Sequence, residues 1–270
     1  MILEGDLNMI KSFRSTKILY YIISFFGAVF IWMKMLLDNN FYLGGLVAII
    51  WIIAISLIMK SFAWMKMNKI INIMRDDCNL EEYIRILNEL LSHCKDRKSR
   101  TLLMLNLSTG YLNAGDRDYA QHTLDRIDKI GKGRLGATYR ISYYNNLVSY
   151  FFMINDIENV IVSMEKLKLA LNNKNLRRVF RNQFLYLYSD AESLLNITNN
   201  IYDGAEQLFD DVLVREKHML SKVYAKYILG IIYLHDNKLS KAREVFEFAA
   251  KNGGDSRFVE MAKEQLENLS

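Results

Sequence analysis

The sequence contains no proline and only two cysteines among its 270 residues. The absence of proline excludes collagen-like and proline-rich chains, and two cysteines are too few for a disulfide-stapled scaffold. The net charge is also small: 35 Lys and Arg residues against 30 Asp and Glu residues leave only +5. An excess this small does not indicate nucleic-acid binding. The mean hydropathy is +0.00, which describes either one uniform soluble domain or an average over two unlike parts.

Two long apolar segments lie within the first 60 residues. Residues 18–37 carry one charge, Lys34, and residues 41–59 carry none. As helices rising ~1.5 Å per residue, both would reach across the ~30 Å hydrocarbon core of a membrane. A pair of buried core helices is the alternative, but such helices normally carry a polar stripe, and neither segment has one. We therefore expect a transmembrane helical hairpin over residues 18–60.

The charges that flank the apolar segments predict the orientation of the hairpin. Basic residues stand on both flanks, and no acidic residue follows the second segment before Asp76. They are Lys11, Arg14 and Lys17 before the first segment, and Lys60, Lys66, Lys69 and Arg75 after the second. Because cytoplasmic flanks of membrane proteins are rich in Lys and Arg, residues 1–17 and 61–270 should both be cytoplasmic. A cleaved signal peptide is disfavoured, since the first apolar run is too long and lacks a small-residue cleavage pattern.

The remainder of the chain, residues 61–270, shows apolar residues at helical spacing and an internal repeat. Three segments share one pattern: a first-helix triplet, a polar turn, and three apolar positions at identical gaps. The copies are Leu107, Ser108, Tyr111, Ala120, Leu124 and Ile127; Leu147, Val148, Phe151, Val160, Met164 and Leu167; and Leu229, Gly230, Tyr233, Ala242, Phe246 and Ala249. Two weaker copies contain Tyr83, Leu87 and Leu90, and Asn200, Ala205, Phe209 and Val212.

These residues resemble the tetratricopeptide repeat, a helix–turn–helix unit that stacks into a right-handed superhelix. The small Gly230 and Ser108 would let the two helices of a pair approach, and the crossing residues would lie where the second helix passes closest. The crossing residues are Tyr83, Ala120, Val160, Ala205 and Ala242, spaced by 37, 40, 45 and 37 residues. The sequence departs from the family in this longer spacing, against about 34, and in lacking the proline that usually ends each repeat.

The patterns together predict an all-α protein. We expect an N-terminal two-helix transmembrane hairpin, then an α-solenoid of about five helix pairs of the tetratricopeptide type, and a capping helix. The capping helix is predicted over residues 255–269, with Asp255 or Ser256 as its N-cap. A repeat array needs such a cap because its last repeat has no neighbour to cover its apolar face.

Signals for catalysis or cofactor binding are weak. Gly131, Gly133 and Gly136 match the spacing of a dinucleotide-binding loop, but they follow a predicted helix rather than a strand, so we interpret them as a linker between repeats. The four histidines are scattered over different repeats, and Cys78 and Cys94 have no second ligand pair at zinc spacing. We therefore expect no enzyme activity, no cofactor and no metal, and two reduced thiols.

A partner-binding groove is the one positive candidate site. In the resembling family, first helices line a concave face that receives a peptide or a partner's helix. The predicted groove residues combine aromatic area with hydrogen-bond donors: Tyr139, Arg140, Tyr143, Asn146, Tyr150, Arg177 and Arg181. The alternative is that the tyrosine stripe packs between repeats and the arginines are merely solvated.

The predicted function is a membrane-tethered adaptor that binds a protein or peptide at the cytoplasmic membrane surface. Two alternatives are a structural subunit assembled through the hairpin and a sensor whose solenoid changes curvature when a peptide binds. Frequent Asn, Ile and Lys without Pro is typical of AT-rich bacterial genomes, which favours a bacterial cell membrane. A eukaryotic organelle receptor with an N-terminal anchor is the other location considered.

Overall fold

The computed structural model describes residues 2–37, 41–130, 136–173, 176 and 178–269. These residues form twelve α-helices and no strand, which confirms the all-α prediction. The helices are α1 (Ile2–Leu37), α2 (Phe41–Arg75), α3 (Leu80–His93), α4 (Arg97–Ala114), α5 (Arg117–Ile130), α6 (Ala137–Met153), α7 (Ile157–Leu171), α8 (Arg178–Thr198), α9 (Ala205–Arg215), α10 (Met219–His235), α11 (Leu239–Asn252) and α12 (Arg257–Asn268).

The chain divides into two compact units, Met1–Ile71 and Asn72–Ser270. The boundary between the units falls inside α2, which continues without a break past the apolar segment and ends at Arg75. In the first unit, α1 and α2 each contain a stretch that is long and apolar enough to cross a membrane. The predicted turn at residues 38–40 lies outside the described residues.

Glycines let α1 and α2 pack closely. A Cβ atom at Gly27 would overlap the indole of Trp51, whose Nε1 donates to the Ile23 carbonyl oxygen over 3.5 Å. A Cβ atom at Gly44 would lie 2.5 Å from the Met35 Cβ. The two helices are therefore in direct contact at two levels.

Five turns in the second unit share one backbone conformation. Each contains a residue in the left-handed region: Cys78 (φ 50°), Gly115 (82°), Asn155 (58°), Asn200 (60°) and Asn237 (58°). In the last four, the next residue donates its N–H to the carbonyl five positions earlier, a bond that satisfies one of the unpaired carbonyls at a helix end. These bonds run from residues 116, 156, 201 and 238 to residues 111, 151, 196 and 233, at 2.8–2.9 Å.

The crossing residues predicted from the sequence lie five positions after these turn residues. All five are buried, with Tyr83, Ala120, Val160 and Ala242 at 0% exposure and Ala205 at 3%. Helix α4 packs along α5, α6 along α7 and α10 along α11, while α4 also contacts α6. In the second unit, three pairs of consecutive helices therefore pack along each other across a shared kind of turn, and α12 packs against α11.

The last turn of the second unit binds to its first turn, a contact that we call the seam. The Asp255 carboxylate accepts the N–H groups of Leu80 at 2.6 Å and Glu81 at 2.7 Å, at the start of α3. The Asp255 N–H donates to the Cys78 carbonyl over 3.2 Å, and a Cβ atom on Gly254 (φ 60°) would overlap that same carbonyl oxygen. The array thus closes on itself through residues 175 positions apart.

Candidate functional site

Three of the predicted groove residues are buried between helices. Tyr143, Asn146 and Tyr150 are 3%, 5% and 8% exposed. The Asn146 Nδ2 donates to the Leu105 carbonyl oxygen at 3.0 Å and the Ser108 Oγ at 2.8 Å, so it joins α6 to α4. Burial raises the pKa of Tyr143. Tyr143 and Tyr150 therefore pack between helices, as the alternative interpretation of the tyrosine stripe predicted.

Two arginines bind the ends of preceding helices. Arg100 donates to the carbonyl oxygens of Leu91 at 3.0 Å and Cys94 at 2.8 Å, and Arg181 donates to that of Asn173 at 3.1 Å. Each is the fourth residue of its helix, as Arg140 is in α6. Carbonyls at a helix C-terminus attract cations, so these arginines join consecutive pairs.

The other predicted groove positions are less enclosed. Tyr139 and Arg140 are half-buried at the start of α6, and Arg181 is half-buried near the start of α8. Arg177 lies outside the described residues. The structure therefore separates the predicted set into a buried stripe and a few residues near helix N-termini.

A cleft of about 310 Å³ lies between α8 and α9, where sequence reasoning predicted nothing. Tyr186 is 52% exposed at its edge, and the Arg215 guanidinium stacks over the Tyr186 ring at 4.3 Å. Arg215 also lies 3.6 Å from the largely buried Asp190 carboxylate. Burial raises the pKa of Asp190 to about 6, and Arg215 offsets this effect only in part.

A second cleft of about 510 Å³ lies between α9 and α10 and shares Gly204 and Gln207 with the first. The Tyr202 and His235 rings stack at its edge, with centroids 3.8 Å apart. Lys238 donates to Glu206 at 2.9 Å and to Asp236 at 2.8 Å, and these hydrogen bonds lower the pKa of both carboxyls.

The linings of the two clefts are acidic, although the whole chain is basic, and three of their carboxylates pair with Arg215 or Lys238. Their linings contain one arginine, Arg215, and six carboxylates: Asp190, Asp203, Glu206, Asp210, Asp211 and Asp236. Within the described part of the chain, no group of three or more His, Cys, Asp or Glu side chains could hold a metal ion. The arrangement suits electrostatic attraction of a cationic segment, with Tyr186 and Tyr202 providing aromatic contact area.

A signal for these clefts was present in the sequence of α8. Counting back from the turn residue, Glu192 and Asn196 occupy the positions where α10 has Leu229 and Tyr233. This loss of the Leu–small–aromatic pattern removes two apolar contacts from the α8–α9 pair.

No family model, curated protein or solved structure matches this chain.

Proposed function

We propose that the protein is a membrane-tethered adaptor, in which a helical-repeat unit of the tetratricopeptide type binds a basic segment of a partner protein. The clefts on both sides of α9 are the observation that carries this proposal, because their linings contain six carboxylates against one arginine, beside the exposed ring of Tyr186. The shared left-handed turns and the buried crossing residues support the repeat type.

The tether in this proposal is the α1–α2 hairpin. Its apolar stretches support membrane insertion, and the basic flanks favour a cytoplasmic repeat unit with both termini inside. Confinement to the membrane surface raises the effective concentration of the clefts for partners in the same membrane. The cytoplasmic flanks of such partners are themselves rich in Lys and Arg, and this positive charge is opposite to that of the clefts.

A photo-crosslinking amino acid at Tyr186, in the full chain in its own membrane, tests the proposed surface. We expect a crosslinked partner from this position and none from Tyr119, which is similarly exposed (59%) but lies on α5. Equal crosslinking from both positions, or none from Tyr186, would contradict the cleft assignment.

The charge of the partner is tested by removing two exposed carboxylates. Asp203→Asn with Asp210→Asn should weaken crosslinking at Tyr186 about tenfold and reduce its salt sensitivity. The matched control, Glu158→Gln with Glu165→Gln, changes the net charge equally on α7, where both carboxylates are exposed. Crosslinking that survives the cleft variant, or falls equally in both, would exclude recognition of a basic segment by these residues.

A further inference from the structure

One turn of α2 is apolar and exposed on every side. Residues 61–65 are all exposed, including Phe62 at 48%, Trp64 at 67% and Met65 at 45%. Successive residues of a helix are about 100° apart, so five consecutive exposed residues cover the full circumference. Every side of this turn therefore carries an exposed residue.

Cations follow this exposed turn directly. Residues 60–75 contain Lys60, Lys66, Lys69 and Arg75 and no acidic residue. Tryptophan and other aromatic residues next to lysines are typical of the layer where lipid headgroups meet the acyl chains. Anionic headgroups attract lysines held close to the membrane surface.

The length of the apolar part of α2 places this turn at the depth of the lipid headgroups. The apolar residues 41–59 span about 28 Å as a helix, close to the ~30 Å hydrocarbon core. Residues 62–65 then follow about 4–9 Å further along the axis, a distance that spans a headgroup layer about 5–7 Å thick on each side. Because α2 continues as one helix to Arg75, this depth is set by the helix itself.

We propose that residues 62–69 form a lipid collar around α2. In this collar Phe62, Trp64 and Met65 lie at the boundary between headgroups and acyl chains, and Lys66 and Lys69 bind the phosphates of anionic phospholipids. The inference rests on the proposed membrane insertion of the hairpin. It moves the point where protein leaves the bilayer from Lys60 to about Lys66.

Tryptophan fluorescence of the full chain in phospholipid vesicles tests the collar. Trp32→Phe with Trp51→Phe leaves only Trp64, and Trp32→Phe with Trp64→Phe leaves only Trp51. Lipids brominated near the headgroup should quench Trp64, whose emission should be blue-shifted. Lipids brominated deep in the acyl chain should quench Trp51.

Each contrary outcome has a distinct meaning. Water-like, unquenched Trp64 together with quenched Trp51 would overturn the collar and leave the tether intact. Blue-shifted but unquenched Trp64 would mean that protein covers it, which also overturns the collar. If lipid quenches neither tryptophan, membrane insertion itself fails.

The anionic lipid preference is tested by comparing two quenchers in the Trp64-only chain. Brominated phosphatidylglycerol should quench more strongly than brominated phosphatidylcholine at the same mole fraction, with local enrichment of about fivefold per lysine. Lys66→Gln with Lys69→Gln should abolish the difference. The control, Lys166→Gln with Lys251→Gln, removes two exposed lysines from α7 and α11 and should leave it unchanged. Equal quenching by both lipids in the parent chain would mean that the lysines do not bind anionic headgroups.

Discussion

The pairs α10–α11 and α8–α9 share a turn conformation but differ in how closely their helices pack. In α10, a Cβ atom at Gly230 would overlap the Phe246 ring of α11. Leu229 and Tyr233 beside it are 1% and 8% exposed. This pair is closed along its length, because the glycine lets an aromatic ring lie against the helix backbone.

In α8 the equivalent positions carry Glu192, Ser193 and Asn196, and the first and last of these are exposed. Phe209 of α9 stands where α11 has Phe246, yet its ring makes an edge contact with Tyr224 of α10, with centroids 6.0 Å apart. The two pairs therefore share the turn and differ in the first-helix triplet, which is buried in the closed pair and has two exposed polar residues in the open one.

The closed pair should be sensitive to one added methyl group. Gly230→Ala places that methyl in the space of the Phe246 ring, so we expect the free energy of unfolding to fall by about 1–3 kcal/mol. Ser193→Ala puts the same side chain at the equivalent buried position of the open pair without adding volume, and should cost less, about 1 kcal/mol or below. Denaturant unfolding of the full chain in detergent measures both. Similar losses from the two variants would show that the pairs do not differ in packing.

The seam gives the closed pair a second contact that the open pair does not share, because Asp255 follows α11 directly. Asp255→Ala leaves the N–H groups of Leu80 and Glu81 without their acceptor and should cost about 1–2 kcal/mol. Hydrogen exchange should then rise both at the start of α3 and in α12. Asp156→Ala, which removes a local cap that accepts from the Asn159 N–H at 3.1 Å, should affect only the start of α7. Unchanged exchange in α12 after Asp255→Ala would mean that the seam does not hold the two ends together.

The open pair should show a pH dependence of stability that comes from Asp190. The folded-state pKa of Asp190, about 6, lies above its ordinary value of 3.8. The folded protein therefore binds more protons than the unfolded chain between these values, and its stability falls as pH rises through that range, by about 1 kcal/mol or less per pH unit. Asp190→Asn should flatten this slope between pH 4 and pH 7 in denaturant unfolding, whereas Asp211→Asn, on the other side of the cleft, should leave it in place.

The burial of the crossing residues could be predicted because their positions follow local rules. Each crossing residue is five positions after a left-handed turn residue, and Gly and Asn supply four of the five such turns. The two apolar helices could be predicted from hydropathy and length alone.

Other features depended on contacts that spacing cannot reveal. Asp255 or Ser256 was predicted as the N-cap of α12, and Ser256 occupies that position, but no spacing indicated that the Asp255 carboxylate caps α3. The polar and aromatic residues of α6 were placed in a groove, whereas Asn146 binds α4 and Tyr143 donates to Asp128 of α5. In each case the residue type suits two partners, and only the three-dimensional path of the chain decides between them.

The seam also gives the two ends of the second unit a direct contact with each other. An open repeat array melts most easily from its ends, since each terminal repeat has a single neighbour. Here the turn at Cys78 and the turn at Gly254 are bonded to one another, so the first and last helices of the second unit support each other. The two ends of this unit should therefore be protected from the fraying that is expected at the ends of an open array.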